Sequence, residues 1–192
     1  MANTENLDLA WMRWADVMRD ASSLMGKRDF AAALAAVESF LAREAWSDLR
    51  RDALGFKADL QERLGDLEAA KEDLLTARSL VGATYARYVH ELSLGAICRK
   101  QNRVAESASW FRTALHTCLE GEGISGGTAL KELFALYSQG ALPPEDQSLC
   151  AEVARGSWHV LGLPGQPDLS NLPGVISAIK KGEAQPPRKR TS

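Results

Sequence analysis

The chain has 192 residues, of which 45% are hydrophobic and 25% charged, and its formal net charge is −2. A chain of this length and composition can bury a sufficient core without disulfides or metal, and its charge gives no general attraction to nucleic acid or anionic lipid. No stretch approaches the roughly 18 uncharged apolar residues that span a bilayer. We therefore expect neither nucleic acid nor a membrane as a partner.

The N-terminal residues show neither the basic segment nor the apolar core of a signal peptide. The three cysteines, Cys98, Cys118 and Cys150, are an odd number at wide spacing, which is typical of reduced thiols. Together these features predict a cytoplasmic protein. The abundance of alanine and arginine favours a GC-rich bacterial genome.

A repeat with a period of 37 residues organises the chain, and it aligns residues 28–33 with residues 65–70 and 102–107. Four aligned columns hold small or apolar residues, which are Ala21, Ala58 and Gly95, then Ala33, Ala70 and Ser107, then Val37, Leu74 and Phe111, and then Phe40, Ala77 and Ala114. A fifth column sets the polar Gln61 against Leu24 and Cys98.

Each repeat is predicted to be two helices joined by a tight turn. In the second helix of the first repeat the shared positions Phe30, Ala33, Val37 and Phe40 are 3, 4 and 3 residues apart, so they lie on one stripe of an α-helix. The small-residue columns let the two helices approach closely. Polar residues and glycine occupy the turn, as a chain reversal in water requires.

These features together resemble the tetratricopeptide repeat. The third repeat matches best, with Leu94-Gly95-x-x-Cys98 followed by Ser107, Phe111 and Ala114. The resemblance implies an all-α fold, a right-handed α-solenoid of antiparallel helix pairs with capping helices. It covers about residues 14–160.

We expect one repeat domain over residues 1–182. Its units are predicted at about residues 14–47, 51–84, 88–124 and 127–161. The last is either a true fourth repeat or an irregular helical pair, and its return helix is predicted to follow Pro143-Pro144-Glu145, since proline is favoured in the first turn of a helix.

The ends of a repeat array need covering. At the N-terminal end Leu7, Leu9, Trp11 and Trp14 belong to the lead-in of the first helix. At the other end a capping helix is predicted at about residues 171–181, with either Ser170 or Asn171 as its N-cap. The apolar residues of this helix are Leu172, Val175, Ile176 and Ile179. Residues 183–192 are predicted to be a disordered tail.

No cluster of catalytic or metal-binding residues stands out in the sequence. The pair His116-x-Cys118 fits no common zinc spacing. The segment Gly121-x-Gly-x-x-Gly126 follows a predicted helix rather than a strand, so it is a loop and not a dinucleotide-binding turn. We predict no catalytic residue, no metal and no cofactor, and therefore no enzyme.

The resemblance also implies a partner-binding groove lined by the first helix of each repeat. The positions it assigns to this predicted groove are Met18, Ser22, Met25, Phe56, Asp59, Glu62, Arg63, Leu92, Ala96, Arg99 and Lys100. Ser22, Asp59 and Ala96 stand where family members that bind chaperone tails have asparagine, so we do not expect such a tail as the ligand. Alternatively, Met18 and Phe56 fill the helix stack and the charged residues are solvated.

The predicted function is binding of a protein or peptide, as an adaptor or regulator without catalytic activity. Two alternatives remain open: a bacterial secretion chaperone or toxin-immunity protein with one dedicated partner, and a self-assembling scaffold, for which a homodimer is possible. Trp11 and Trp46 are expected to be buried, and partial exposure, as in an interface anchor, is the alternative.

Overall fold

The computed structural model describes residues 2–80, 82–137 and 142–184, and it describes side chains from residue 7 onward within those ranges. These residues form nine α-helices and a short 3₁₀ turn, with no strand among them. The chain divides into two compact units, residues 1–82 and residues 83–192. Each unit contains a hydrophobic core cluster of its own.

The first unit consists of two antiparallel helix pairs. Helix α1 (Ala2–Gly26) packs on α2 (Phe30–Leu41), and α3 (Ser47–Leu64) packs on α4 (Leu67–Ser79). Contacts between α2 and α3 join the pairs. Within the first pair the ring of Trp14 lies 5.0 Å from the ring of Phe40, and burial of these large aromatic rings is a major source of stability.

The second unit begins with the pair α5 (Thr84–Lys100) and α6 (Val104–Glu120). Helices α7 (Gly127–Leu136) and α8 (Pro144–Val160) both pack on α6. A 3₁₀ turn (Leu169–Asn171) leads into α9 (Leu172–Glu183), which packs on α7 and α8. The predicted all-α fold of antiparallel helix pairs is therefore confirmed, and α9 covers the last pair as the predicted capping helix.

The three repeats end their first helix in the same way. Arg28, Gly65 and Asn102, which are 37 residues apart, all have the left-handed backbone conformation, with φ of 60°, 87° and 60°. In each case the N–H of the next residue donates to the carbonyl five residues before it, over 2.8 to 3.0 Å. This closing turn satisfies a carbonyl that the helix end would otherwise leave without a partner.

The residue after the left-handed position is the N-cap of the second helix of each pair. Asp29 and Asp66 accept a hydrogen bond on the side chain from the N–H of Ala32 and Ala69, each over 3.1 Å. These are N-caps, which satisfy a free backbone donor in the first turn. Arg103 holds the equivalent place before α6 and makes no side-chain cap.

The small-residue columns set how closely the helices of a pair approach. Ala21, Ala58 and Gly95 are all buried. A Cβ atom on Gly95 would lie 2.5 Å from Cε1 of the fully buried Phe111. The hydroxyl of Ser107 donates to the carbonyl of Gly95 over 2.8 Å. Close helix contact thus requires a residue without a side chain at 95.

The polar residue Gln61 in the fifth column destabilises the core. Gln61 is 6% exposed, and its Oε1 accepts no hydrogen bond from the residues that the structure describes. The corresponding residue Cys98 is fully buried and Leu24 is half-buried. Burial of an amide oxygen without a donor is destabilising.

A polar cluster fastens α8 to α6. The guanidinium of Arg112 donates to both carboxylate oxygens of Asp146, over 2.6 and 2.8 Å. The hydroxyl of Tyr137 donates to Asp146 over 2.7 Å. Asp146 is only 1% exposed, so its charge is stabilised by these partners rather than by water.

The ends of the last helices agree with the sequence signals. Pro144 lies in the first turn of α8. Asn171 caps α9 by accepting from the N–H of Gly174 over 3.1 Å, which decides between the two predicted caps. The predicted disordered tail starts at residue 183, but Glu183 still belongs to α9, and residues 185–192 lie outside the described residues. No helix in the described ranges is long and apolar enough to cross a membrane.

Candidate partner-binding surface

The apolar positions of the predicted groove in the first unit are half-buried. Met18, Met25 and Phe56 pack against the core cluster of this unit. The ring of Phe56 stands edge-on to that of Trp14, with 6.2 Å between the ring centroids and 80° between the planes. These side chains therefore support the stack of helices, and each keeps part of its surface exposed.

The polar positions of the predicted groove in the first unit lie mostly on α3. Asp59 and Arg63 form an ion pair of 2.9 Å one helical turn apart. The hydrogen bond from Arg63 to Asp59 raises the pKa of the guanidinium further. Arg63 also lies 5.8 Å from the ring centroid of Phe30. Glu62 is half-buried, and Ser22 on α1 is exposed.

All the groove positions predicted in the second unit lie on one face of α5. Leu92 and Ala96 are half-buried, and Arg99 and Lys100 are exposed. Arg99 forms an ion pair with Glu132 of α7. The charge of Arg99 is therefore directed along the surface between α5 and α7.

Two further residues of α5 continue this face and were not predicted. The side chains of Tyr85 and Val89 are 63% and 37% exposed. They precede Leu92 by seven and three residues, the spacing that places side chains on one helical face. We call the face the α5 stripe, and its residues are Tyr85, Val89, Leu92, Ala96, Arg99 and Lys100. Extending the helical spacing from Leu92 toward the N-terminus of α5 would have identified Tyr85 and Val89 from the sequence.

The tryptophans are distributed between core and surface. Trp11 is 42% exposed and Trp14 only 6% exposed. Trp46 is half-buried. The expected burial is therefore wrong for Trp11, which is exposed, while Trp46 keeps only part of its surface exposed.

The cysteines and histidines are not arranged as a reactive group. All three cysteines are buried. Burial raises the pKa of Cys118 to about 11 and that of Cys150 to about 12, so both stay protonated at neutral pH. His116 is exposed while Cys118 is buried and donates to the carbonyl of Ile124. In the described ranges no group of three or more His, Cys, Asp or Glu side chains is placed to hold a metal.

An open cavity of about 650 Å³ lies away from the α5 stripe, between the end of α8 and the loop that follows it. Arg155, Trp158 and His159 line the helical side, and Asp168 lines the loop side. Asp168 accepts from the N–H and the hydroxyl of Ser170 over 3.1 and 2.6 Å. Oδ1 of Asp168 thus caps the 3₁₀ turn.

Comparisons with known proteins find similarity only among solved structures. No protein-family model matches the sequence, and no curated protein matches it. The chain is similar to the crystal structure of BtubC (BKLC) from P. vanneervenii, with 14% identity, a TM-score of 0.49, and coverage of 100% of this chain and 97% of that chain.

A second similar structure is that of a Podosopora anserina protein described as a kinesin light chain with nearly identical TPR-like repeats. Its identity is 14% and its TM-score 0.47, with coverage of 91% of this chain and 98% of that chain. In this protein the recurring left-handed turn and the buried small-residue columns are found in both units. The helix pairs of the chain are tetratricopeptide-like in architecture.

Proposed function

We propose that this protein is a non-enzymatic protein-binding module, an adaptor or regulator that holds a protein or peptide segment on the α5 stripe. The observation that carries the proposal is the exposure of Tyr85 and Val89 in line with Leu92. Apolar side chains scattered singly over a surface need no explanation, whereas a contiguous exposed stripe is typical of an interaction site.

The rest of the predicted groove supports binding rather than chemistry. Met18 and Met25 are flexible, half-buried side chains that adapt to irregular partners. Arg99 and Lys100 lie at one end of the α5 stripe, where charge can orient a bound segment. The buried, protonated thiols of Cys118 and Cys150 are poor nucleophiles.

A tagged pull-down from the native lysate, read by mass spectrometry, tests the proposal. Wild type is compared with Tyr85→Ala and with Val104→Ala, a control whose exposed apolar side chain lies on α6. We expect a stoichiometric partner that Tyr85→Ala loses and Val104→Ala retains. Phe56→Ala would be a poor variant because Phe56 packs on Trp14.

The outcomes separate the remaining possibilities. A partner that both variants retain equally would contradict binding through the α5 stripe. A single effector or toxin as the captured protein would narrow the function to a secretion chaperone or an immunity protein.

Self-association is a second candidate function, favoured by the surface of α1. Leu9 and Met12, three residues apart on that helix, are 54% and 65% exposed. An apolar pair of this kind can meet its copy in a twofold dimer. Sedimentation over a range of concentrations tests this: a dimer that Met12→Glu dissociates supports it, and a constant monomer mass rejects it.

A further inference from the structure

We propose that the segment bound on the α5 stripe is amphipathic and acidic, and that its carboxylate replaces Glu132 as the partner of Arg99. This inference rests on the proposed function and specifies the chemistry of the partner. It follows from three features of the second unit: the apolar half of the stripe, the excess of cations at its end, and the exposed ion pair that already occupies Arg99.

The stripe changes character along its length. Its first half, from Tyr85 to Ala96, is apolar, and its last turn carries Arg99 and Lys100. A partner that covers the whole stripe must therefore present apolar side chains at helical spacing and polar groups at one end. An amphipathic helix meets both requirements.

The charges at the polar end favour an acidic partner. At that end α5 carries Arg99 and Lys100, Glu132 of α7 pairs with Arg99, and Arg103 and Glu106 pair with each other over 3.8 Å. Three of these five side chains are cationic and two are anionic. A basic partner would meet like charge, while an acidic partner meets complementary charge.

In the absence of a partner, the carboxylate of Glu132 occupies the position on Arg99 that the partner's carboxylate would take. The side chain of Arg99 is 43% exposed and that of Glu132 21% exposed. Ion pairs that face water contribute little to stability, so exchange of one carboxylate for another costs the fold little. The pair also holds the guanidinium at the surface between α5 and α7, ready for an incoming acid.

The chain offers a matched control in a second ion pair. Arg87 of α5 pairs with Glu120 of α6 over 2.5 Å, and both pairs join residues 33 apart. The side chains of Arg87 and Glu120 are 41% and 61% exposed. Arg87 is two residues from both Tyr85 and Val89, so it points away from the stripe.

Two synthetic, fluorescein-labelled amphipathic peptides of about four helical turns provide the probes. They share one leucine pattern and differ only in carrying glutamates or lysines at one end. Fluorescence anisotropy against the full chain measures each affinity. We expect wild type to bind the glutamate peptide about tenfold tighter than the lysine peptide. Glu132→Gln should bind the glutamate peptide more tightly than wild type does, because its internal competitor is removed.

Charge exchange tests the direction of the preference. The double variant Arg99→Glu with Glu132→Arg keeps an ion pair between α5 and α7, and we expect it to prefer the lysine peptide. The control exchange, Arg87→Glu with Glu120→Arg, should keep the preference of wild type. The single variant Lys100→Glu, at an exposed position, should weaken binding of the glutamate peptide even if the double exchange does not fold.

Equal affinity for the two peptides, or no response to exchange at Arg99 and Glu132, would overturn the inference. If neither peptide binds while wild type still captures a partner through Tyr85, the acidic-segment inference fails and the proposed function stands. If the capture fails as well, both are rejected.

Discussion

Single side chains decide how closely the helices of a pair approach, and Gly95 shows this most clearly. Gly95→Ala places a Cβ atom 2.5 Å from Cε1 of Phe111, which is fully buried. We expect the substitution to lower the free energy of unfolding by about 2 kcal/mol, as overpacking of a core does. Urea unfolding measures the change.

The matched control for this prediction is Gly156→Ala. Gly156 lies in α8, and a Cβ atom there would meet nothing within 4 Å. Alanine is the better helix former, so this variant should be more stable by about 0.5–1 kcal/mol. Equal effects at the two glycines would show that contact with Phe111 does not limit the approach of α5 and α6.

The left-handed turn position gives a second prediction at the scale of the residue. Arg28 has φ of 60°, a conformation that costs a residue with a Cβ atom about 1 kcal/mol. Arg28→Gly should therefore raise the free energy of unfolding by about 0.5–1 kcal/mol, and Gly65→Ala should lower it by a similar amount. Thermal and urea unfolding of both variants provide the measurement. A stabilising Gly65→Ala would contradict the argument.

Between helices, the polar cluster of Arg112, Tyr137 and Asp146 is the feature most open to test. Asp146→Asn removes the charge that Arg112 pairs with and leaves the guanidinium without its anion. We expect a loss of about 2 kcal/mol in the free energy of unfolding, less than for a fully buried pair because Arg112 is partly exposed. Asp59→Asn, in a solvent-exposed pair, should change stability little.

The same cluster predicts how stability depends on pH. The pKa of Asp146 is lowered chiefly because Arg112 donates hydrogen bonds to its carboxylate, with a further contribution from Tyr137 and an opposing one from burial. A lowered pKa in the folded state means that the carboxylate stabilises the fold above the ordinary Asp pKa of about 3.9 and loses this effect as the pH falls below it.

The difference in stability between wild type and Asp146→Asn should therefore be largest near neutral pH and shrink in acid. Urea unfolding at a series of pH values measures it. A difference that stays constant down to acid pH would show that the charge of Asp146 does not act through this cluster.

Across the whole molecule, the repeat made the fold predictable, because period and spacing are written locally in the sequence. The columns that contain Ala58, Leu74 and Phe111 are buried as their spacing requires. The cluster at Asp146 was not predictable in this way. Its members lie on three separate segments, and no pattern in any one segment indicates that Arg112 meets a residue 34 positions later.

In the candidate surface, too, the positions within one helix were predictable and the contact between two helices was not. The face that contains Leu92 and Ala96 follows from helical spacing, and the same spacing indicates Tyr85 and Val89. The pairing of Arg99 with Glu132 depends on where α7 lies relative to α5. Spacing within α5 gives no information about that. The membership of the predicted groove remains a prediction.

The distribution of cysteines has a practical consequence. All three lie in residues 83–192 and none in residues 1–82, and all are shielded from solvent in the folded chain. Cys98 and Cys150 are fully buried, so a thiol reagent reaches these two only when the helices around them open. The rate at which these buried cysteines are alkylated in the native protein therefore measures transient opening of the second unit alone, and no added label is needed.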